Sequence, residues 1–288
     1  MSMSLSEGGE GSAARGGMLP RLAELSSRFV AFMLPILALL LIWELVVRLG
    51  LAQSNILPAP SMVVARAIQL LNPADPQGSV LLTHIATSLY RAFIAFGLAV
   101  AVAIPLGFAL GLSSTLYNWV SPIISLLLPL PAVAWTPVML VAFGQGDTTI
   151  ILVCFLGAVF PVLYSTIQGV RSISRQTIWV VRSMGAGPAS IFVKILVPAS
   201  LPALMSGLKL GMAHSWRTLV AAEMLAAVGS GLGYLIFAAR SYMDVSTMFV
   251  GIVCLAVIGL LIEHGVFGPM ENLTVRKWQG TQHMGGRK

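Results

Sequence analysis

Thr177-Ile178-Trp179-Val180-Val181-Arg182-Ser183-Met184-Gly185-Ala186-Gly187-Pro188-Ala189-Ser190-Ile191-Phe192-Val193-Lys194-Ile195-Leu196-Val197-Pro198 is the stretch that decides the fold. It is long enough for two short helices, and the Gly185–Pro188 cluster breaks them apart. After the break, Ile191, Phe192 and Ile195 recur at helical spacing. Between Arg171 and Lys194 lie four positive residues and no acidic one. Such a helix-turn-helix between two apolar runs has two readings. It is a docking knob for a cytoplasmic partner, or an amphipathic loop lying on anionic lipid.

Working outward, the whole chain is apolar. Of its 288 residues 57% are hydrophobic and 9% charged, against about 25% charged in a soluble domain. Mean hydropathy is +0.90, which a water-soluble globule could sustain only with large exposed apolar patches. These values exclude a soluble enzyme, a disordered chain and a secreted disulfide scaffold, and leave a polytopic membrane protein. Cys154 and Cys254 sit in apolar runs and read as small core residues. No His/Cys cluster suggests a metal. A net charge of +7 in such a chain points to basic cytoplasmic loops rather than to nucleic acid.

A hydrocarbon core of about 30 Å takes about 20 helical residues, and by that ruler the chain holds about six spans. They fall near Phe29–Val47, Ala92–Leu112, Val120–Phe143, Thr148–Gln168, Ala203–Met224 and Val245–Glu263. Pro122, Pro129, Pro131 and Pro137 interrupt the third, which is expected to kink or break. Residues 1–28 read as a polar, disordered cytoplasmic arm, residues 29–49 as the first transmembrane helix and residues 50–90 as an outer interfacial segment with a short helix near Met62–Leu71. Residues 91–265 form the transmembrane core with the loop 170–201, and residues 266–288 a cytoplasmic tail. Lys and Arg concentrate on segments that face inward if both termini are cytoplasmic, while Arg48, Arg66, Arg91 and Arg240 fall outside. Arg91 is read as a residue at a span end, where its side chain can snorkel.

With these segments in order, the central loop resembles the signature loop of ABC importer membrane subunits. That pattern has Glu-Ala-Ala, then three residues, a glycine, nine residues, and Ile-x-Leu-Pro. Gly185, Ile195 and Pro198 stand at the right spacing, Val197 replaces the leucine, and Trp179-Val180-Val181 replaces Glu-Ala-Ala. Leu57-Pro58-Ala59-Pro60-Ser61, Ser88-Leu89-Tyr90-Arg91, Pro129-Leu130-Pro131, Phe143-Gly144, Leu219-Val220-Ala221-Ala222-Glu223 and Gly231-Leu232-Gly233-Tyr234 also look like this family, and they extend the resemblance over about residues 55–280. It is most similar to the branch that imports nitrate, taurine and aliphatic sulfonates.

The resemblance implies an all-α, type I ABC importer permease (MetI-like) fold in the bacterial inner membrane. It implies a second permease copy in a homodimer, two cytoplasmic ATPase subunits and a periplasmic or lipid-anchored solute-binding protein. The chain has no phosphate-cradling GxxxxGK[ST] loop. ATP and Mg are therefore expected on the partner ATPase, with no cofactor, metal or catalytic residue on this chain. Arg182, Ser183, Gly185, Ala186, Ile195 and Pro198 are the expected coupling-loop residues.

Polar side chains inside a span are costly, so each is a functional candidate. His214 and Arg217 lie three apart on one helix face and suit a small anion, which needs positive charge or hydrogen-bond donors along its path. Trp216 and Glu223 are grouped with them as pathway residues. The alternative for Arg217 is an ion pair with Glu223 or snorkelling to lipid. Gly107 with Gly111 and Gly207 with Gly211 are small-xxx-small pairs that let helix backbones approach closely. Other functions remain open at this stage: a permease for an aromatic acid or a thiamine precursor, or an ion-coupled secondary carrier. A membrane serine protease is disfavoured because Val228-Gly229-Ser230-Gly231 lacks the leading glycine of Gly-x-Ser-Gly.

Overall fold

The computed structural model describes residues 18–72 and 80–270, with side chains from Met33 onward. Expectations for residues 1–17, for residues 73–79 of the interfacial segment and for most of the C-terminal tail lie outside these. Every element among the described residues is helical: α1 (Met18–Arg48), α2 (Pro60–Leu71), α3 (Val80–Leu112), α4 (Ser114–Leu127), α5 (Thr136–Phe143), α6 (Asp147–Arg171), α7 (Arg175–Ser183), α8 (Pro188–Ile191), α9 (Val197–Ala226), α10 (Leu232–Ser241) and α11 (Val245–Leu261). Four of the helical stretches are long and apolar enough to cross a membrane, or five counting the bent pair α4–α5. The first expected span, Phe29–Val47, lies on α1.

The chain divides into two units, up to Met62 and from Val63 onward. In the first, α1 begins at Met18, inside the stretch expected to be a disordered arm. Leu19, Arg21, Leu22, Ala23 and Glu24 are good helix formers once the glycine-rich residues end at Gly17. Near the far end of α1, Glu44 pairs with Arg48 at 2.6 Å and accepts the Ser61 amide at 3.1 Å and its hydroxyl at 2.8 Å.

In the second unit α6 is central, packed against α3 on one side and α9 on the other. Both small-residue pairs turn out to serve this packing within the chain. A Cβ on Gly107 or Gly111 would come within 2.6 Å and 2.7 Å of the Thr166 and Val170 Cβ atoms of α6. On the other side, Gly207 meets Ser165 and Gly211 meets Val162. Glycine removes the side chain that would hold these backbones apart.

Two boundaries differ from the sequence expectation, and the break expected in the third span is present. α3 starts at Val80 rather than Ala92, so its first turns occupy part of the expected interfacial segment 50–90. Its polar residues there find partners inside the protein, so the helix need not stop at Arg91. The third span is broken: α4 ends at Leu127, a 3-10 turn follows at Ala132–Trp135, and α5 departs at 87°. Pro129 and Pro131 supply no backbone N–H for a continuous helix. The last span continues through a π-helical turn at Ile262–Phe267, and a second π turn at Phe192–Leu196 joins α8 to α9. Outward-facing Leu98, Val102, Val141, Val257 and Leu260 give the second unit an apolar surface that suits lipid.

Asp244 fixes the start of α11. Its carboxylate accepts the Thr247 amide at 3.0 Å and hydroxyl at 2.6 Å, and pairs with Arg66 of α2 at 3.0 Å. Burial pushes this carboxyl up, but the Thr247 hydrogen bonds and the Arg66 charge outweigh it and hold it below the usual aspartate range. A carboxyl depressed on folding stabilises the fold above its unfolded value, about 3.9, and that contribution is lost as pH falls through the lower folded value. Asp244→Ala is expected to cost about 1 kcal/mol through the lost cap. Thermal unfolding in detergent should show Asp244→Asn less stable than the parent between pH 5 and pH 7 as fixed test conditions, with the gap closing in stronger acid. A gap that did not change with pH would remove the charge from this account.

Candidate functional site

The central loop folds as its local chemistry dictates. Ser174 caps α7: its hydroxyl oxygen accepts the Thr177 amide at 3.2 Å. At the other end Gly185 takes φ +86°, where its N–H donates to Arg182 at 3.0 Å and the Ala186 N–H donates to Val181 at 3.3 Å. This is a Schellman closure, which needs a left-handed residue and so favours glycine. Pro188 then opens α8 with its fixed φ and no donor to waste.

The hairpin stands on Ile191 and Leu196, which are buried, and on the contact of Phe192 with Phe108 of α3 at 5.2 Å between ring centroids. Of the expected coupling residues, Arg182, Ser183 and Gly185 are exposed, and Ala186, Ile195 and Pro198 half-buried. Sequence reasoning left out the apolar tip: Trp179, Val180 and Met184 are 69%, 60% and 81% exposed, more than a core residue would be. Their hydrophobicity next to a basic helix was the available signal.

A groove of about 620 Å³ runs between α6, α9 and the broken α4–α5 segment. His214 and Arg217 of α9 both line it, beside Thr218, with Tyr164 and Ser165 of α6. Opposite them, Leu128–Val133 form an apolar wall. Among the described residues no carboxylate lines the groove, and two nitrogen-bearing side chains and three hydroxyls are its polar groups. Gly157 lies in the floor; a Cβ there would approach the Thr218 hydroxyl to 3.0 Å.

The other two expected pathway residues, Trp216 and Glu223, do not line this groove. Trp216 is buried on another face of α9, and its indole N–H donates to the Leu255 carbonyl of α11 at 3.2 Å. It borders a separate small cavity with Arg217, Lys209 and Glu263. There Lys209 is paired with Glu263 at 3.1 Å.

Glu223 is fully buried and belongs to an ion-pair network at the far end of the helices from the hairpin. Arg91 donates to Glu223 at 2.8 Å, to the Ser230 carbonyl at 2.8 Å, and through two N–H groups to Asp147 at 2.7 and 2.9 Å. Ser88 donates to the Glu223 carboxylate at 2.9 Å. Three successive amides at the start of α10 are taken up by the same cluster. Gly231 donates to His84 Nδ1, Leu232 to Ser88 and Gly233 to Glu223, at 2.8–2.9 Å. Arg91 is only 2% exposed, so it does not snorkel; its charge is compensated within the protein. Its opposite charge to Glu223 in otherwise apolar helices was the sequence signal for this network.

Comparison with known proteins places this arrangement among transport proteins. The family model described as "Binding-protein-dependent transport system inner membrane component" matches residues 103–264. The chain is 35% identical to the taurine transport system permease protein TauC of Escherichia coli (strain K12), over 88% of this chain and 92% of that one. It is 31% identical to the nitrate import permease protein NrtB of Synechocystis sp. (strain ATCC 27184 / PCC 6803 / Kazusa), over 83% and 87%. The putative aliphatic sulfonates transport permease protein SsuC of Bacillus subtilis (strain 168) is 30% identical over 83% and 84%. Among solved structures, an inward-facing form of the MetNI methionine ABC transporter matches with a TM-score of 0.61 at 19% identity, over 70% of this chain and 99% of that one. That likeness concerns the fold.

Proposed function

This chain belongs to the family of binding-protein-dependent transport system inner membrane components, and on that premise we propose that its α6–α9 groove carries a small anion across the membrane. It is the permease subunit of an ATP-binding-cassette importer. The observation that carries the anion reading is the groove itself, where Arg217 and His214 stand among hydroxyl donors with no lining carboxylate. A small anion crossing a low-dielectric layer needs such charge and donors. Relatives named for taurine, aliphatic sulfonates and nitrate support the same solute class.

The remaining parts of the machine follow from the family. Two copies of this chain pair, two ATPase subunits bind and hydrolyse ATP with Mg, and a solute-binding protein delivers the anion. The α7–α8 hairpin faces the cytoplasm, as the basic residues between Arg171 and Lys194 favour, and both termini lie on that side. Trp179, Val180 and Met184 anchor the ATPase by apolar contact in place of the family's glutamate, with the basic residues at the rim.

The test is reconstitution with the ATPase and binding protein of neighbouring genes, measuring ATP-dependent uptake of taurine, an alkanesulfonate and nitrate in parallel. Uptake of at least one is expected. ATPase stimulation with no uptake of any would overturn the anion reading and leave the permease assignment intact. Arg217→Ala is expected to reduce uptake strongly while the complex still assembles, because a hydrogen bond to a charged group is worth about 1.5–3 kcal/mol. Unchanged uptake kinetics in that variant would take Arg217 out of the path.

A further inference from the structure

Arg91 is held by two carboxylates in opposite settings. Glu223 is fully buried, whereas the Asp147 side chain is 53% exposed. Separating Arg91 from Glu223 would strand a carboxylate in the core. Separating it from Asp147 would return Asp147 to water while Glu223 and the Ser230 carbonyl still held the guanidinium. Of the two contacts, only the second can open and close at modest cost.

What Asp147 fastens is the corner between α5 and α6. This corner is tied within itself, because the Thr149 hydroxyl donates to the Gly144 carbonyl at 2.6 Å. Its nearby backbone tie to the rest is Gly146 N–H to the Ala226 carbonyl at 2.9 Å. At its other end α5 connects through the 3-10 turn to the proline-bearing break at Leu128–Pro131, which walls the groove. The close glycine contacts that lock α6 to α3 and α9 run from Gly157 to Val170, beyond the first turns of α6 that carry Asp147. The piece between the proline break and the first turn of α6 packs on the apolar core through Met139, Leu140 and Ile150, and among the described residues its one charged tie is Asp147–Arg91.

We infer that the Asp147–Arg91 contact is a latch that opens during transport, letting the α5–α6 corner and the groove wall joined to it move, while Arg91–Glu223 stays closed. Asp147 and Arg91 are positioning residues in this role; neither lines the groove. The inference rests on the groove being the transport path.

The test uses membrane vesicles, right-side-out and inside-out, carrying the complete transporter. The readout is the rate at which a membrane-impermeant maleimide labels a groove cysteine, Ala221→Cys, with Thr218→Cys as a second reporter. Adding Asp147→Asn should speed labelling several-fold in the orientation that exposes the latch end, and Asp147→Glu should restore the slow rate. Asp147→Asn without the reporter reads the native Cys154, which is buried in the core, and Cys254; no rise is expected there. Equal reporter rates with and without Asp147→Asn would overturn the latch. So would a parallel rise at the native cysteines, which would mean general loosening. Anion uptake is measured separately, so absent uptake alongside a labelling shift would count against the anion reading alone.

Discussion

Replacing Arg91 by methionine is expected to destabilise the helical core by about 3–5 kcal/mol, the range for removing one partner of a buried ion pair. The cost comes from what is left behind. Glu223 is fully buried and would keep the Ser88 hydroxyl and the Gly233 amide but lose its only compensating guanidinium contact among the described residues. The Ser230 carbonyl would lose its donor as well. Arg91→Met combined with Glu223→Gln should recover much of the loss, because glutamine removes the buried charge and retains an oxygen to accept from Gly233. The thermal midpoints of the detergent-purified single and double variants decide it. An Arg91→Met protein as stable as the parent would mean that the network contributes nothing to the fold.

Gly185→Pro should leave insertion into the membrane intact and abolish ATPase docking. Proline fixes φ near −65°, whereas this position sits at +86°. It also removes the N–H that donates to Arg182. Both losses fall on the closure that turns α7 back toward α8, so the Trp179–Met184 tip would be presented in the wrong direction. Gly185→Asn, which tolerates the left-handed region, should retain docking. The check is co-purification of the ATPase with each variant, alongside uptake. Normal docking of Gly185→Pro would refute the hairpin's role.

The two predictions draw on parts of the molecule that differ in how readable they were. The hairpin is local chemistry. Its glycine, its proline and its Ser174 cap act on neighbours within a few residues, so a helix, a break and a second helix are legible in order. His214 and Arg217 were likewise legible together, because residues three apart on a helix share a face and their groove wall is the proline-rich segment already marked as broken. Trp216 and Glu223, close by on the same helix, lead elsewhere. A helix has several faces, and its sequence does not say which neighbour each one meets.

The sequence by itself determined an all-helical membrane protein, its approximate spans, the break in the third and the shape of the α7–α8 hairpin. Hydrophobic run length and backbone restrictions are properties of contiguous residues. Only the tertiary structure decided that Arg91 lies inside α3, joined to Asp147 and Glu223 that are 56 and 132 residues away. It also decided that both glycine pairs close on α6. Those pairings depend on how three helices are rotated against each other, which is set by side-chain packing across the whole bundle and by no local pattern.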